Sequence, residues 1–391
     1  MADAHRLSPS SWNRFETCPR MYWLSRQGLP RKAGMAASLG TAIHASIEDL
    51  LNMDISDRPK ASMGWLPEVG EAFLKDRWNE EKDAFHATPR HGRWKDDRWK
   101  EAVDGHRGGI DLLLRWVGVE GLSHERITAA LWTRVQERMI AVEGELISRD
   151  GRLGGRVDLL LNEVDDAGET VAWVVADLKT GRTPEGKLKP EVDRQLRFYR
   201  DLLLANNPSA PNVRAEGWYT LNRTTWRASK GGVLEDAYAA WEATQPTEEP
   251  LDPTPGPDSC GGFCDWKAWC GHWLRWRHDA KLLDDGDFRD AVVRVVARPA
   301  GSSTVEVERL LPGDGPGEVV DGGGRCSMLF VGSALTKLEA LMDEDAAAPI
   351  FVGSALAKGQ QWRVGDWCDV LPWSPHAVSY THPTLPTTRH V

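Results

Sequence analysis

Apolar residues recur with a helical period over the first third of the chain and alternate one by one through its middle. Ser8 to Leu24 (SPSSWNRFETCPRMYWL) opens with serines suited to an N-cap, carries Trp12 and Phe15, and meets Pro19, where a short helix ends and leaves Cys18 at the break. Gly40 to Met53 predicts a helix with Ile43, Ile47, Leu50 and Leu51 as its stripe; His44 lies beside that stripe, one turn before Glu48, and faces the interior. Residues 64 to 122 read as further helices, most apolar from Leu112 to Val117.

From Ile127 the period changes to two. Thr128 to Ser148, Gly151 to Val164 and Val171 to Gly181 predict three strands separated by turns near residues 149–152 and 165–169, which makes a β-meander. Glu191 to Ala205 returns to a helix that buries Val192, Leu196, Tyr199 and Leu203, with Gln195 one turn before Tyr199 and Arg194, Arg197 and Arg200 along another side. Val213 to Asn222 predicts a strand and Leu234 to Ala243 a helix. Beyond residue 282 short strands such as AVVRVVA and STVEVERLL predict a small β-rich, barrel-like appendage. The octapeptides FVGSALTK at Phe330 and FVGSALAK at Phe351 recur in it, too few copies for a solenoid. His376 to Val391 follows neither period, resembles translated adapter sequence, and is set aside as a non-native or disordered tail.

The third strand, VAWVVADLKTG, carries the chemistry. Alternation puts Trp173, Val175, Asp177 and Lys179 on one side, so a carboxylate and an ammonium emerge together from a strand that is apolar on both faces. A strand end reaching water reads the same way when taken alone. Asp158, on the preceding strand, supplies a second carboxylate able to converge with Asp177 on one cation, and two carboxylates with a histidine suit Mg²⁺ or Mn²⁺. Lys179 would then orient or deprotonate a water and stabilise charge on a phosphate under attack.

Composition bounds the partners. With 391 residues and a formal charge of −10, the chain is not built to coat nucleic acid indiscriminately, although a basic groove can exist on an acidic protein. Arg194, Arg197 and Arg200 suit phosphates or equally a solvated helix face, as does the basic, aromatic run His91 to Arg107. The 19 tryptophans fit core packing better than base stacking. With no membrane-length apolar run and no secretory core at the start, a cytoplasmic protein is expected. Its six cysteines then point away from disulfides. Cys260, Cys264 and Cys270 sit close together before Trp273 and Trp276, which indicates a metal or cluster site whose fourth ligand, by elimination, is Cys18.

In order, His44 in GTAIH, Asp158 in GGRVD, Asp177 and Lys179 in VADLKTG, and Gln195 and Tyr199 in QLRFY, bracketed by Cys18 and the late cysteine triplet, resemble the RecB-like branch of the PD-(D/E)XK nuclease superfamily. The cysteines make it similar to the iron-sulfur subgroup that includes AddB-type recombination nucleases and CRISPR-associated RecB-like exonucleases. The resemblance covers about residues 7 to 280. It implies an α/β, restriction-endonuclease-like fold: a mixed central sheet flanked by helices, with a helical insertion at about 60–125. On this basis residues 1–281 form the nuclease domain and 282–375 the appendage, for which the resemblance offers no counterpart and whose economical role is to hold single-stranded DNA or a partner.

The resemblance further implies a Mg²⁺- or Mn²⁺-dependent DNA exonuclease or end-processing enzyme with His44, Asp158, Asp177 and the Leu178 carbonyl as ligands. Lys179 would be catalytic, and Gln195 would help to position it or the DNA. A structural [4Fe-4S] cluster would sit on Cys18, Cys260, Cys264 and Cys270. Three residues between Cys260 and Cys264, where two are usual, keep zinc open. An upstream glutamate often joins such sites, and Glu137, Glu143 and Glu145 all qualify. The expected substrate is DNA, single-stranded or with free ends, in repair, phage replication or CRISPR adaptation, with a recombination, helicase or adaptation partner. The competing reading is a catalytically silent DNA-end binding or recombination-scaffold protein with a four-cysteine zinc or cluster site.

Overall fold

The computed structural model describes residues 5–261, 264–359 and 361–375; the tail from residue 376 lies outside them. In chain order the elements begin with α1 (Pro9–Thr17), α2 (Pro19–Leu24), α3 (Met35–Asn52), α4 (Trp65–Ala87), α5 (Trp99–Trp116) and α6 (Ala129–Gln136). Strands β1 (Met139–Ile147), β2 (Gly154–Val164) and β3 (Thr170–Lys179) follow, then α7 (Pro190–Asn206), β4 (Asn212–Tyr219), β5 (Thr224–Arg227) and α8 (Leu234–Ala243). The remainder comprises α9 (Pro257–Cys260), α10 (His272–Asp279), β6 (Phe288–Ala297), β7 (Thr304–Arg309), β8 (Leu311–Pro312), β9 (Val319–Val320), β10 (Arg325–Phe330), α11 (Ser333–Asp345), β11 (Ile350–Lys358), β12 (Gln361–Val364) and β13 (Asp369–Pro372).

The chain divides into two compact units. The first comprises residues 1–13, 34–87 and 94–247, the second residues 14–33, 88–93 and 248–391. The four cysteines of the expected cluster therefore belong to the same unit as the C-terminal strands.

The first unit is built on a five-stranded mixed sheet in the order β1-β2-β3-β4-β5. β1, β2 and β3 form the antiparallel meander, and β4 runs parallel to β3, with α7 as the crossover. Ala172 to Leu178 alternate between the two faces, and all but Trp173 are buried, as befits a strand covered on both sides. Leu196, Phe198, Tyr199 and Leu202 of α7 pack with Trp12, Val175 and Ala237. α3 buries Leu39, Ile43, Ile47 and Leu50, as its period of 3.6 requires. α5 lies so close to the end of β4 that a β-carbon at Gly108 would overlap the carbonyl of Thr220, and only glycine fits there.

One expected strand is partly a helix. Thr128 to Gln136, read as the start of the first strand, holds α6: the Thr128 hydroxyl accepts from the Leu131 N–H (3.2 Å) as an N-cap, and Ala129, Trp132 and Val135 bury one face at helical spacing. The strand begins only at Met139.

In the second unit β6, β7, β10, β12 and β11 pair in that order, and β11 pairs again with β6, so the five strands close into a barrel; β13 adds to β11 outside the ring. Val293, Val305, Val307, Met328, Phe330, Val352 and Trp362 fill its interior. A second cluster packs Trp23, Leu24, Leu29, Trp266, Trp269 and Trp273 around Cys260 and Cys270 and against Val292 and Phe351, on the outside of the barrel. Among the described residues no helix is long and apolar enough to cross a membrane.

Candidate metal centre

Three elements bring one histidine and two acids together. His44 projects from α3, Glu143 from β1 and Asp158 from β2, and one ligand atom from each falls within 4.8 Å of the other two. His44 Nδ1 stands 3.5 Å from Asp158 Oδ2 and 4.0 Å from Glu143 Oε1. Glu143 and Asp158 face each other because the β1–β2 register pairs Val142 with Leu159 and Gly144 with Val157. Glu143 has φ 49°, a left-handed conformation that a non-glycine residue adopts at a cost of ~1–2 kcal/mol. Strain of this kind collects at functional sites.

Beside this group, Asp177 lies one step beyond the Leu159–Ala176 pair, next to Asp158. It is 4 % exposed. Lys179 Nζ stands 2.5 Å from Oδ2 as an ion pair. Gln195 of α7 locks the pair: its Nε2 donates to Asp177 Oδ1 (2.8 Å) and its Oε1 accepts from Lys179 Nζ (3.1 Å). The Leu178 N–H donates to Asp158 Oδ2 (2.7 Å), and since a strand residue directs its N–H and C=O toward the same neighbour, the Leu178 carbonyl points to that side as well. Tyr199 packs under the site, its hydroxyl close to Gly155.

The electrostatics describe a site short of positive charge. Burial raises the Glu143 carboxyl to about 7, with the Asp158 charge adding to the effect and His44 and Arg156 opposing it. Burial likewise lifts Asp177 to about 6 despite Lys179. Burial alone would lower His44, but the hydrogen bond and charge of Asp158, with Asp177 and Glu143, raise it above its ordinary value. Burial also pulls on Lys179, and the Asp177 carboxylate outweighs it, so the amine is held as a cation. Two buried acids with raised pKa, Glu143 and Asp177, beside Asp158 and one histidine are a donor set that a hard divalent ion would satisfy.

A cleft of about 680 Å³ opens beside this site, lined by Leu39 of α3, Arg98 and Glu101, the Thr180–Thr183 segment after β3, and Leu221 and Asn222. The other expected contacts to DNA sit differently. Arg194 donates to Asn13 Oδ1 (2.8 Å) and lies over the Trp12 ring, Arg197 pairs with Asp193 (3.0 Å), and Arg200 pairs with Asp201 (2.7 Å) and donates to the Ser229 carbonyl. Arg194 and Arg200 thus tie α7 to its surroundings, and the Arg197 pair lies within the helix.

Of the three upstream glutamates the structure selects Glu143. Glu145 pairs at the surface with Arg6, and Glu137 is exposed just past α6. Glu143 and Glu145 share a strand face by alternation, so no sequence pattern separates them; the pairing opposite Asp158 does.

The four cysteines are free thiols. Cys18 caps α2 and accepts from the Thr254 N–H (3.5 Å), and Cys260 ends α9. Burial raises Cys264 to about 12, with Cys270 and Cys260 adding, and raises Cys270 to about 11, with Cys260 and Cys18 adding and Arg20 opposing. Buried donors without acceptors, Arg20 Nε and Trp269 Nε1, belong to the same surroundings. Thiols raised by burial are what apolar surroundings alone produce, whereas the two donors lacking acceptors are unusual in a buried region.

Comparison with curated proteins finds no match. A family model, the PD-(D/E)XK nuclease superfamily, matches residues 6–271, which span every residue of the metal centre and all four cysteines, and on that match the chain belongs to the PD-(D/E)XK nuclease superfamily.

Proposed function

We propose that this protein is a divalent-metal-dependent deoxyribonuclease that processes DNA ends, with a [4Fe-4S] cluster on Cys18, Cys260, Cys264 and Cys270. The observation that carries the reading is the convergence of His44, Glu143 and Asp158 beside an Asp177–Lys179 pair locked by Gln195. Mg²⁺ or Mn²⁺ held there, with Asp177 and the Leu178 carbonyl at hand, would lower the pKa of a water and offset charge gathering on a phosphate. Lys179, kept protonated by Asp177, acts as a fixed cation that orients the water and stabilises the pentavalent phosphorus, rather than as a base at neutral pH. Gln195 holds both members of the pair within hydrogen-bond reach and so acts as a positioning residue. Arg182, at the cleft mouth, has no partner among the described residues and is available to a phosphate of the strand entering the site.

The cluster reading rests on the thiol set, the two orphaned donors and the resemblance. Its role is structural, tying segments distant in the chain into one unit, a closure whose entropy cost grows only slowly with length.

The test is digestion of 5′- and 3′-labelled single-stranded and duplex oligonucleotides with Mn²⁺, Mg²⁺ or chelator. Metal-dependent release of nucleotides from an end, lost in Asp158→Asn and Lys179→Gln, supports the proposal. Metal-independent turnover, or DNA binding with no turnover under any ion, rejects it in favour of a silent end-binding protein. Protein purified without air should be brown with iron and sulfide near four of each per chain if a cluster is present; a colourless, zinc-containing preparation rejects that part.

A further inference from the structure

The C-terminal barrel carries a surface that the nuclease site does not use. Numbered along the chain its strands are first β6, second β7, third β10, fourth β11 and fifth β12, and they close in the order first, second, third, fifth, fourth. The third and fifth run parallel, and α11 links the third to the fourth. This is the connectivity of the OB barrel, in which the face of the second and third strands and the loops after the first and fourth take oligonucleotides or oligosaccharides in many proteins. Topology does not assign a ligand. The side chains on the outer surface narrow it.

Register places Phe288, Leu356, Arg363 and Leu329 in one row across four strands, since Phe288 pairs with Leu356, Leu356 with Arg363, and Arg363 with Leu329. Their inward neighbours, Ala355, Ala357, Trp362, Met328 and Phe330, fill the barrel, so by alternation the row faces out. Phe288 is 60 % and Trp367 43 % exposed, unusual for aromatic rings. The Arg363 guanidinium lies 6.0 Å from the Trp367 ring centre, and Trp367 Nε1 donates to the Ser354 carbonyl (3.0 Å), which holds the indole in place. Lys358, one outward position along β11, is exposed. Neither Lys358 nor Arg363 has a carboxylate partner among the described residues. The outward positions of β10 and β12, and of β11 beyond its bulge, carry no acid; those on the neighbouring strands are engaged, Asp290 of β6 by Lys267 and the Ser354 N–H, Glu306 and Glu308 of β7 by Arg325.

We propose that this row binds single-stranded DNA, with bases stacked on Phe288 and Trp367 and phosphates on Arg363 and Lys358. Rings standing free beside unpaired cations match a polymer that alternates flat apolar bases with anions. A neutral sugar chain could use Ser327 and Gln361 on this face but would leave the cations of Arg363 and Lys358 without an anion. A duplex would hide the base faces that the rings address.

The test uses the full chain in chelator, which separates binding from cleavage, and anisotropy of a labelled thymidine oligonucleotide. Phe288→Ala and Trp367→Ala should each weaken binding by roughly 5- to 100-fold, the range for loss of one stacked base. The two barrel phosphate contacts should contribute about −1.4 to the log–log salt slope. Because Trp367 also braces the Ser354 bulge, Lys358→Glu with Arg363→Glu serves as a second variant that leaves both rings; it should weaken binding comparably and make the slope shallower by about 1.4. Metal-dependent cleavage at saturating DNA should be unchanged in the ring and charge variants, so a failed nuclease reading and a failed barrel reading give different results. Binding unchanged in both the ring and the charge variants, or binding confined to duplex or RNA, overturns the proposal.

Discussion

Glu143→Gly should stabilise the metal-free protein and abolish its metal-dependent activity. The parent holds Glu143 at φ 49°, and glycine relieves ~1–2 kcal/mol there. Its carboxyl is raised from 4.5 to about 7. That shift corresponds to about 3 kcal/mol if unscreened, and because the group is only partly shielded from water about half of it, ~1.5 kcal/mol, is the better figure. Against these gains stand ~0.5–1 kcal/mol for the freer unfolded glycine and ~0–1 kcal/mol for the lost pair with Arg156, whose side chain is largely exposed. The net is a gain of ~0.5–3 kcal/mol, or about 1–12 °C in melting temperature for a unit of this size.

The pH dependence has a definite sign. An acid whose folded pKa is raised contributes stability below its unfolded value and loses it as pH rises through the folded value, so the electrostatic part of the variant's advantage should be full at pH 8 and vanish near pH 4.5, leaving only the backbone part. Melting in chelator at both pH values, followed by circular dichroism, measures this. Adding Mn²⁺ should raise the melting temperature of the parent and not that of the variant. Glu143→Gln, which keeps the left-handed backbone and removes the charge, should gain only the electrostatic part. A glycine variant that melts below the parent at pH 8 in chelator, or that keeps full turnover with Mn²⁺, refutes the reasoning.

Gln195→Ala should lower the cleavage rate roughly 10- to 100-fold, the equivalent of ~1–3 kcal/mol for a buried carboxylate oxygen left without its donor, with little change in the dependence on DNA concentration; an unaltered rate would remove Gln195 from the positioning role. Gly108→Ala should destabilise the first unit by ~3–5 kcal/mol, because the clash is with the Thr220 carbonyl rather than a side chain that could turn aside, and denaturant melts showing a loss under ~1 kcal/mol would contradict the packing. His106, buried against the Ser46 hydroxyl (2.8 Å), is held down to about 4 by burial first and then by the charges of His124 and Arg107. Its folded pKa is depressed, so stability should fall by up to ~3 kcal/mol as pH drops from 6.5 to 4, and His106→Leu should flatten that limb of the stability curve.

Much of the centre was legible before any coordinates. Alternation along VAWVVADLKTG set Asp177 and Lys179 on one side, and the helical stripe of α3 turned His44 inward; both follow from periods that the backbone imposes within a few residues. The choice of Glu143 was not legible, because a period of two treats Glu143 and Glu145 alike. The arginines of α7 share a helix side as expected, and the pairing of Arg197 with Asp193 one turn earlier and of Arg200 with the adjacent Asp201 was local enough to read in the sequence, whereas the partners that fold against the helix, Asn13 and the Ser229 carbonyl, were not. Thr128 to Gln136 misled for a related reason: Leu131, Thr133 and Val135 fit one face of a half-buried strand over so short a run, and the Thr128 cap decides for the helix.

The repeated octapeptide separates the two kinds of information most cleanly. FVGSALTK ends β10 and begins α11, whereas FVGSALAK is β11 throughout. In the first copy the left-handed residue is Gly332 (φ 63°), and Asp366 accepts from the Ser333 N–H (2.7 Å) and hydroxyl (2.9 Å), which starts the helix. In the second it is Ser354 (φ 60°), whose N–H donates to Asp290 (2.9 Å) in a bulge, and the chain stays paired with β6 and β12. The sequence by itself determined which side chains share a face, since that depends on bond geometry between near neighbours. Tertiary structure alone decided which face meets which partner, and so which acid joins the metal centre and which copy of one peptide becomes a helix, because local preferences of a few tenths of a kcal/mol yield to hydrogen bonds and burial supplied by residues far away in the chain.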